Sequence, residues 1–209
     1  MNDAAAAARP GAQPAAQPAA HPVAQFLRRL APLPQDELER FITAGRARCL
    51  RAGEPFCTQG QQQHEIAFIL RGIVRYHVAL PSGDEATKDF SFAGGFTVSF
   101  GSATRGVPAQ VAISAVVATD LLVWPWSTMT TLYESSALWQ RVGRLAAEAL
   151  YVRKEQRELS FLLQSASERY QAMHQRFGTQ IDQIAQHHLA SYLGIRPPSL
   201  SRLKRALRA

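Results

Sequence analysis

The stretch from Gln186 to Arg205, QHHLASYLGIRPPSLSRLKR, leaves this chain few choices. Leu189, Ala190 and Leu193 make one short apolar face, and Gly194 interrupts it. Leu200, Leu203 and Leu207 then make a second face at the i, i+3, i+7 spacing of a helix. The pattern predicts two short helices meeting at a tight turn. Ala190 is small enough for the second helix to cross close by, Gly194 can take the positive φ that a sharp turn demands, and Ile195 fills the angle between the helices. At 100° per residue, Pro198, Ser201, Arg202 and Arg205 fall opposite the leucines and face outward, as a helix that enters a DNA groove requires. Arg196 and Ser199 stand at its start, and His188 on the first helix is placed to approach a phosphate. An ordinary helix pair with a solvated basic face is the plainer alternative. The agreement of small residue, turn glycine and apolar positions in one register favours a DNA-binding helix-turn-helix.

Charge points the same way. The chain carries 23 Lys and Arg against 16 Asp and Glu, a net +7. Between Arg169 and Ala209 stand seven basic side chains and one acid, Asp182. The excess therefore lies on the suspected groove reader. That region lacks the large aromatic face of an interfacial helix, and no uninterrupted apolar run reaches the ~18 residues of a membrane span, so no membrane partner is expected. Cys49 and Cys57 are the only cysteines, without CxxC spacing and too few to cage zinc or an iron-sulfur cluster. They read as thiols of a reducing cytosol, and a cytoplasmic location is expected. Residues 1–22, rich in Ala, Pro and Gln, offer nothing to pack and are expected to be a disordered tail. They lack the basic n-region of a signal peptide.

Beyond the tail, three regions follow. Residues 23–135 open with two amphipathic helices, the first carrying Phe26, Leu27 and Leu30 and the second being LPQDELERFITAG with Pro34 at its start and Gly45 at its end. From Arg46 to about Pro125, short runs of β-branched and aromatic residues alternate with glycine turns, which predicts an antiparallel roll or sandwich. Residues 136–167 switch to a helical period. Leu138, Val142, Leu145, Ala149, Val152, Gln156, Leu159 and Leu163 recur in steps of four and three, a heptad seam suited to pairing two subunits. Such a helix is expected to be roughly 45 Å long. Residues 168–209 then hold the helix-turn-helix. The class is α+β: a jelly-roll-like antiparallel β-roll, a long dimer helix and a small helical DNA-binding domain.

In that order, the β-roll with Gly53-Glu54, Gly60, Gly72 and Gly83, the stretch SASERY, and LASYLGI with SLSRLKR resemble the Crp/Fnr family of bacterial transcription regulators. The likeness covers about residues 25 to 207. It implies a cyclic-nucleotide-binding-like domain and a homodimer on two-fold symmetric operators. Double-stranded DNA, a second copy and RNA polymerase are the implied partners, with a small-molecule effector of unknown identity. In nucleotide-binding relatives a Phe-x-Gly-Glu segment meets the ribose and a Pro-Arg-Ser/Thr-Ala segment puts Arg on the cyclic phosphate. Here Phe96, Val98 and Ser99 stand in the first segment, with Ala109 and Gln110 in the second. The phosphate loses its guanidinium, so this effector pocket is degenerate and cyclic AMP is not expected to bind. No cofactor is expected. His64, His77 or Cys57 are the possible haem ligands, and each reads more readily as an ordinary strand or turn side chain. His187 and His188 point about 100° apart and do not form an i, i+4 metal pair.

The second helix departs from the family too. Arg196-Pro197-Pro198-Ser199 replaces a capping Ser or Thr followed by Pro and Glu, so the helix is expected to start a residue late and to lack one cytosine contact. With Ala209 as its last residue, the sequence is not expected to add a hairpin wing after this helix. There is no Gly-rich phosphate loop, GxSxG or HExxH, and the chain is not expected to be an enzyme. The rival expectation is a β-roll sensor or protein-interaction module with a vestigial DNA-binding region.

Overall fold

A computed structural model describes residues 21–207 of the chain, so nearly all of the predicted tail lies outside the described residues. Two helices lead, α1 (Pro22–Arg28) and α2 (Gln35–Thr43). The roll contains β1 (Arg46–Leu50), β2 (Pro55–Cys57), β3 (Glu65–Arg71), β4 (Ile73–Ala79), β5 (Glu85–Phe92), β6 (Phe96–Thr97), α3 (Phe100–Arg105), β7 (Ala112–Ala115) and β8 (Thr119–Pro125). After it come α4 (Trp126–Ser135), α5 (Ala137–Leu163), α6 (Ala166–Phe177), a 3-10 turn (Gly178–Gln183), α7 (Gln186–Leu193) and α8 (Pro197–Ala206).

The strands form two antiparallel four-stranded sheets, ordered β1-β8-β3-β6 and β2-β7-β4-β5. IAFIL and LLVW are continuous apolar runs because their sheet is buried on both faces. Ala67, Ile69, Leu121 and Val123 point into the roll, where they meet Val74, Ile113 and Ala115 of the facing sheet. Their neighbours Ile66, Phe68, Leu122 and Trp124 point outward into a second core closed by α1, α2, α4 and the start of α5. Phe41 of α2 stacks on Trp124 with ring centroids 4.4 Å apart, and the Trp124 indole N–H donates to the Phe41 carbonyl at 2.7 Å. A third core lies outside the other sheet, where Ile73 and Phe90 meet Tyr170, Met173, Phe177, Leu189, Leu193 and Leu200. The chain is thus three apolar layers separated by two sheets.

Several boundaries move. Pro22, assigned to the tail, is the first residue of α1, and His21 Nδ1 caps it by accepting from the Val23 amide at 3.2 Å. The sequence pattern does not predict α3, six residues long, or α4, although Trp126, Met129, Leu132 and Tyr133 of α4 recur at helical spacing and pack against the second core. The long helix stops at Leu163 after 27 residues, about 40 Å rather than 45 Å. It stops because Ser165 and Glu168 form a reciprocal capping box that starts α6, with the Ser165 amide donating to Glu168 Oε2 at 2.7 Å and the Glu168 amide to Ser165 Oγ at 3.3 Å.

Candidate nucleic-acid interface

Helices α7 and α8 form the expected pair. Gly194 caps α7 in the left-handed region, φ 70° and ψ 31°, a conformation that costs a side-chain-bearing residue energy and glycine almost none. A Cβ on it would also meet Phe161 Cε1 at 2.8 Å. Ala190 is fully buried, and its carbonyl accepts from the Ile195 amide at 3.0 Å, which pulls the chain round the corner. Leu200 is fully buried, Leu203 is half-buried against the same core, and Leu207 at the frayed end is 44 % exposed.

Opposite the leucines, Arg196, Pro198, Ser201, Arg202 and Arg205 are exposed, and Ser199 is half-buried at the rim. Ser201 Oγ donates back to the Pro197 carbonyl at 3.3 Å, and Arg202 Nη2 donates to Ser199 Oγ at 3.4 Å. The helix does not start late. Pro197 and Pro198 are its first two residues, because amides at those positions have no partner within the helix and proline loses nothing by lacking them. Arg196 occupies the cap position without a side-chain hydrogen bond to the helix.

The pair is seated on the roll from below. Phe90 and Phe92 of β5 meet Phe177 and Tyr192 edge-on or tilted, with centroids 4.8–5.8 Å apart. Arg157 on α5 lies over the Tyr192 ring at 3.8 Å and donates to the Tyr192 carbonyl, while Arg169 Nε donates to the Leu193 carbonyl at 3.2 Å. Arg176 bridges Tyr192 Oη at 3.0 Å and Asp89 Oδ1 at 3.0 Å. Guanidinium groups therefore hold the carbonyl end of α7, where positive charge suits the helix dipole.

His188 does not reach outward toward a phosphate. It is half-buried against β4 and β5, with Nδ1 2.9 Å from Arg75 Nη1, and burial first and the Arg75 charge second push its pKa down to about 4. A neutral, inward-turned imidazole makes a poor phosphate clamp. The sequence carried no sign of this, since the two partners lie 113 residues apart.

The residues expected to mark the effector pocket do not converge. Alternation along β6 sends Phe96 and Val98 out of the roll, where Phe96 packs edge-on against Phe26 at 5.3 Å and Phe68 at 5.0 Å and Val98 joins the same cluster. Thr97 faces inward instead, fully buried, with Oγ1 2.7 Å from Tyr76 Oη. Ser99 is half-buried near Cys57, Ala109 is packed in the core between the sheets, and Gln110 is exposed. The suggested haem ligands are equally scattered. His64 is exposed on a loop and 3.3 Å from Gln62 Oε1, His77 is buried on β4, and Cys57 is buried on β2, where burial pushes its thiol pKa up. Among the described residues, no group of three His, Cys, Asp or Glu side chains is arranged to hold a metal ion.

On α5 the expected seam divides. Val142 is only 4 % exposed and packs in its own chain's core with Trp139, because α1, α2 and α4 cover that end of the helix; it is not available to a partner. Leu145 is half-buried, whereas Val152, Leu159 and Leu163 are 47, 45 and 77 % exposed. Among the described residues, no helix is long and apolar enough to cross a membrane.

No protein-family model and no curated protein matches this chain in sequence. Solved structures do match in shape. FixK2 from Bradyrhizobium japonicum superposes with a TM-score of 0.68 at 17% identity, covering 78% of this chain and 84% of that one. The c-di-GMP responsive global regulator CLP of Xanthomonas campestris gives 0.66 at 12% identity, covering 84% and 92%. The catabolite activator protein of Thermus thermophilus gives 0.52 at 22% identity, covering 84% of each. This chain shares the fold of these three proteins, the fold that the resemblance in sequence implied.

Proposed function

We propose that this chain is a DNA-binding transcription regulator of the Crp/Fnr type that acts as a homodimer on a two-fold symmetric operator. The observation that carries the proposal is α8: its leucine side is buried and its opposite side presents Arg196, Arg202 and Arg205 to solvent. Leu145, Val152, Leu159 and Leu163 supply the dimer seam, so that two reading helices face the same side of a duplex. Arg202, in the middle of the exposed face, meets the two major-groove acceptors of a guanine. Proline at the first two positions removes amides that a helix start otherwise offers to phosphate, so backbone contact falls to Arg196 and Arg205.

The roll is not a cyclic AMP receptor in this proposal. Ala109 sits in packed core where a phosphate would need a guanidinium, and Phe96 faces another layer. A ligand at 100 times its dissociation constant stabilises by about 2.7 kcal/mol, so a clear rise in melting temperature with cyclic AMP overturns that part.

Selection of bound duplexes from a random pool tests the whole. The expected product is an inverted repeat with half-site centres about one helical turn, ~34 Å, apart, and binding that weakens steeply with salt. Recovery of no symmetric sequence at low salt refutes it and favours an interaction module whose helix pair no longer reads DNA.

A further inference from the structure

Between the roll and the helix pair lies a polar cluster that plays no part in groove reading. Arg75, on β4, is only 7 % exposed. Its Nη2 donates to Glu85 Oε2, and its Nη1 donates to Thr87 Oγ1 at 3.3 Å and to His188 Nδ1 of α7 at 2.9 Å. Ser191, one turn along α7, accepts from the Thr87 amide at 2.8 Å and donates to the Glu85 carbonyl at 3.3 Å. Thr87 lies on the edge strand of its sheet, so that amide finds its partner across the domain boundary.

We propose that this cluster is a proton-sensitive brace, which ties α7 to the edge of the roll while His188 is neutral and loosens it on acidification. A guanidinium only donates, so His188 must offer an unprotonated Nδ1 to receive it. A proton placed there removes the acceptor and sets an imidazolium against Arg75. The charged or titratable groups facing His188 are Arg75 and His77 on β4, Glu85 on β5 and its neighbour His187, whose ring lies 3.9 Å away. Only Glu85 favours the cation, and it is already engaged by Arg75. His77 is itself buried, with Nε2 3.1 Å from Ser114 Oγ of β7 and Nδ1 3.4 Å from Glu85 Oε1, within ion-pair reach but without a hydrogen bond.

The sign follows from the docked geometry. His188 sits near pKa 4 when docked and returns toward the ordinary 6.5 when α7 lifts, so the lifted state binds more protons. Docking is at full strength above about pH 6.5 and weakens as pH falls toward 4. The Arg75–Glu85 pair stays with the roll in both states, so the linkage rests on His188. The aromatic core beneath sets the resting strength, and the cluster makes it respond to pH.

Hydrogen exchange at the Thr87 amide of the full chain, corrected for the intrinsic pH dependence of exchange, reads the opening directly. The opening constant is expected to rise roughly tenfold from pH 7.5 to pH 5.5, while amides of β3 keep their protection. His188→Asn keeps an acceptor for Arg75 but cannot titrate, and it is expected to abolish the rise. An opening constant equal at the two pH values, a rise shared by β3, or a rise that persists in His188→Asn overturns the proposal. Should His188→Asn open at both pH values, the His188 titration followed by NMR in the unmodified chain decides: a midpoint well below 6 upholds the brace and one near 6.5 refutes it.

Discussion

The two ends of α5 carry the same apolar rhythm and meet opposite fates. At its start, Trp139 is fully buried, its indole N–H donates to Glu37 Oε2 at 2.8 Å, and Arg141 Nε donates to the Leu30 carbonyl at 3.2 Å. Over its last two turns, Leu159, Leu162 and Leu163 are 45, 79 and 77 % exposed. One helix therefore begins as part of a core and ends as a surface that lacks one. The difference teaches that a heptad pattern marks which residues avoid water, and the rest of the chain decides whether the same molecule or another covers them.

The contrast breaks hardest at the packed end. Trp139→Ala should cost about 3–5 kcal/mol of folding stability, seen as a lower urea midpoint, with the dimer constant of the still-folded fraction unchanged. An altered dimer constant would mean that the packed end also pairs subunits. Leu159→Asp asks the converse: it should leave the monomer's stability within about 0.5 kcal/mol and weaken dimerisation by about 3 kcal/mol, measured by sedimentation. Equal sedimentation of both proteins at micromolar concentration would remove the seam.

On α8 the same division runs across the helix rather than along it. Arg202→Ala should cost about 1–3 kcal/mol on the selected half-site and relax one base position, whereas Arg205→Ala should weaken all duplexes alike and lower the salt slope by roughly one per half-site. Uniform weakening by Arg202→Ala would move specificity to Ser199, Ser201 or DNA shape. The smallest effect belongs to the junction after the exposed end of α5. Ser165→Ala should lose about 1 kcal/mol through the α6 cap, visible as a modest fall in melting temperature without change in DNA specificity.

What could be read from sequence were features that local chemistry sets. The turn at Gly194, the buried Ala190 and Leu200 and the outward Arg202 follow from helical period and glycine's freedom alone. Val142 lies roughly 60° round the helix from Leu145, close enough to share its pattern and far enough to face its own chain's core. Likeness to a motif puts Phe96 and Val98 in a pocket, while strand alternation turns both into another layer. The Arg75–His188 contact left no trace at all, since no periodicity joins β4 to α7.

Because Ile73 and Phe90 of the roll share one apolar layer with Tyr170, Met173, Phe177 and Leu200, the C-terminal helices have no complete core of their own. Cutting the chain near residue 168 divides that layer, and each fragment exposes half of it to water. Moving the helix pair onto a different roll requires carrying the β4 and β5 surface along with it, or rebuilding one of matching shape.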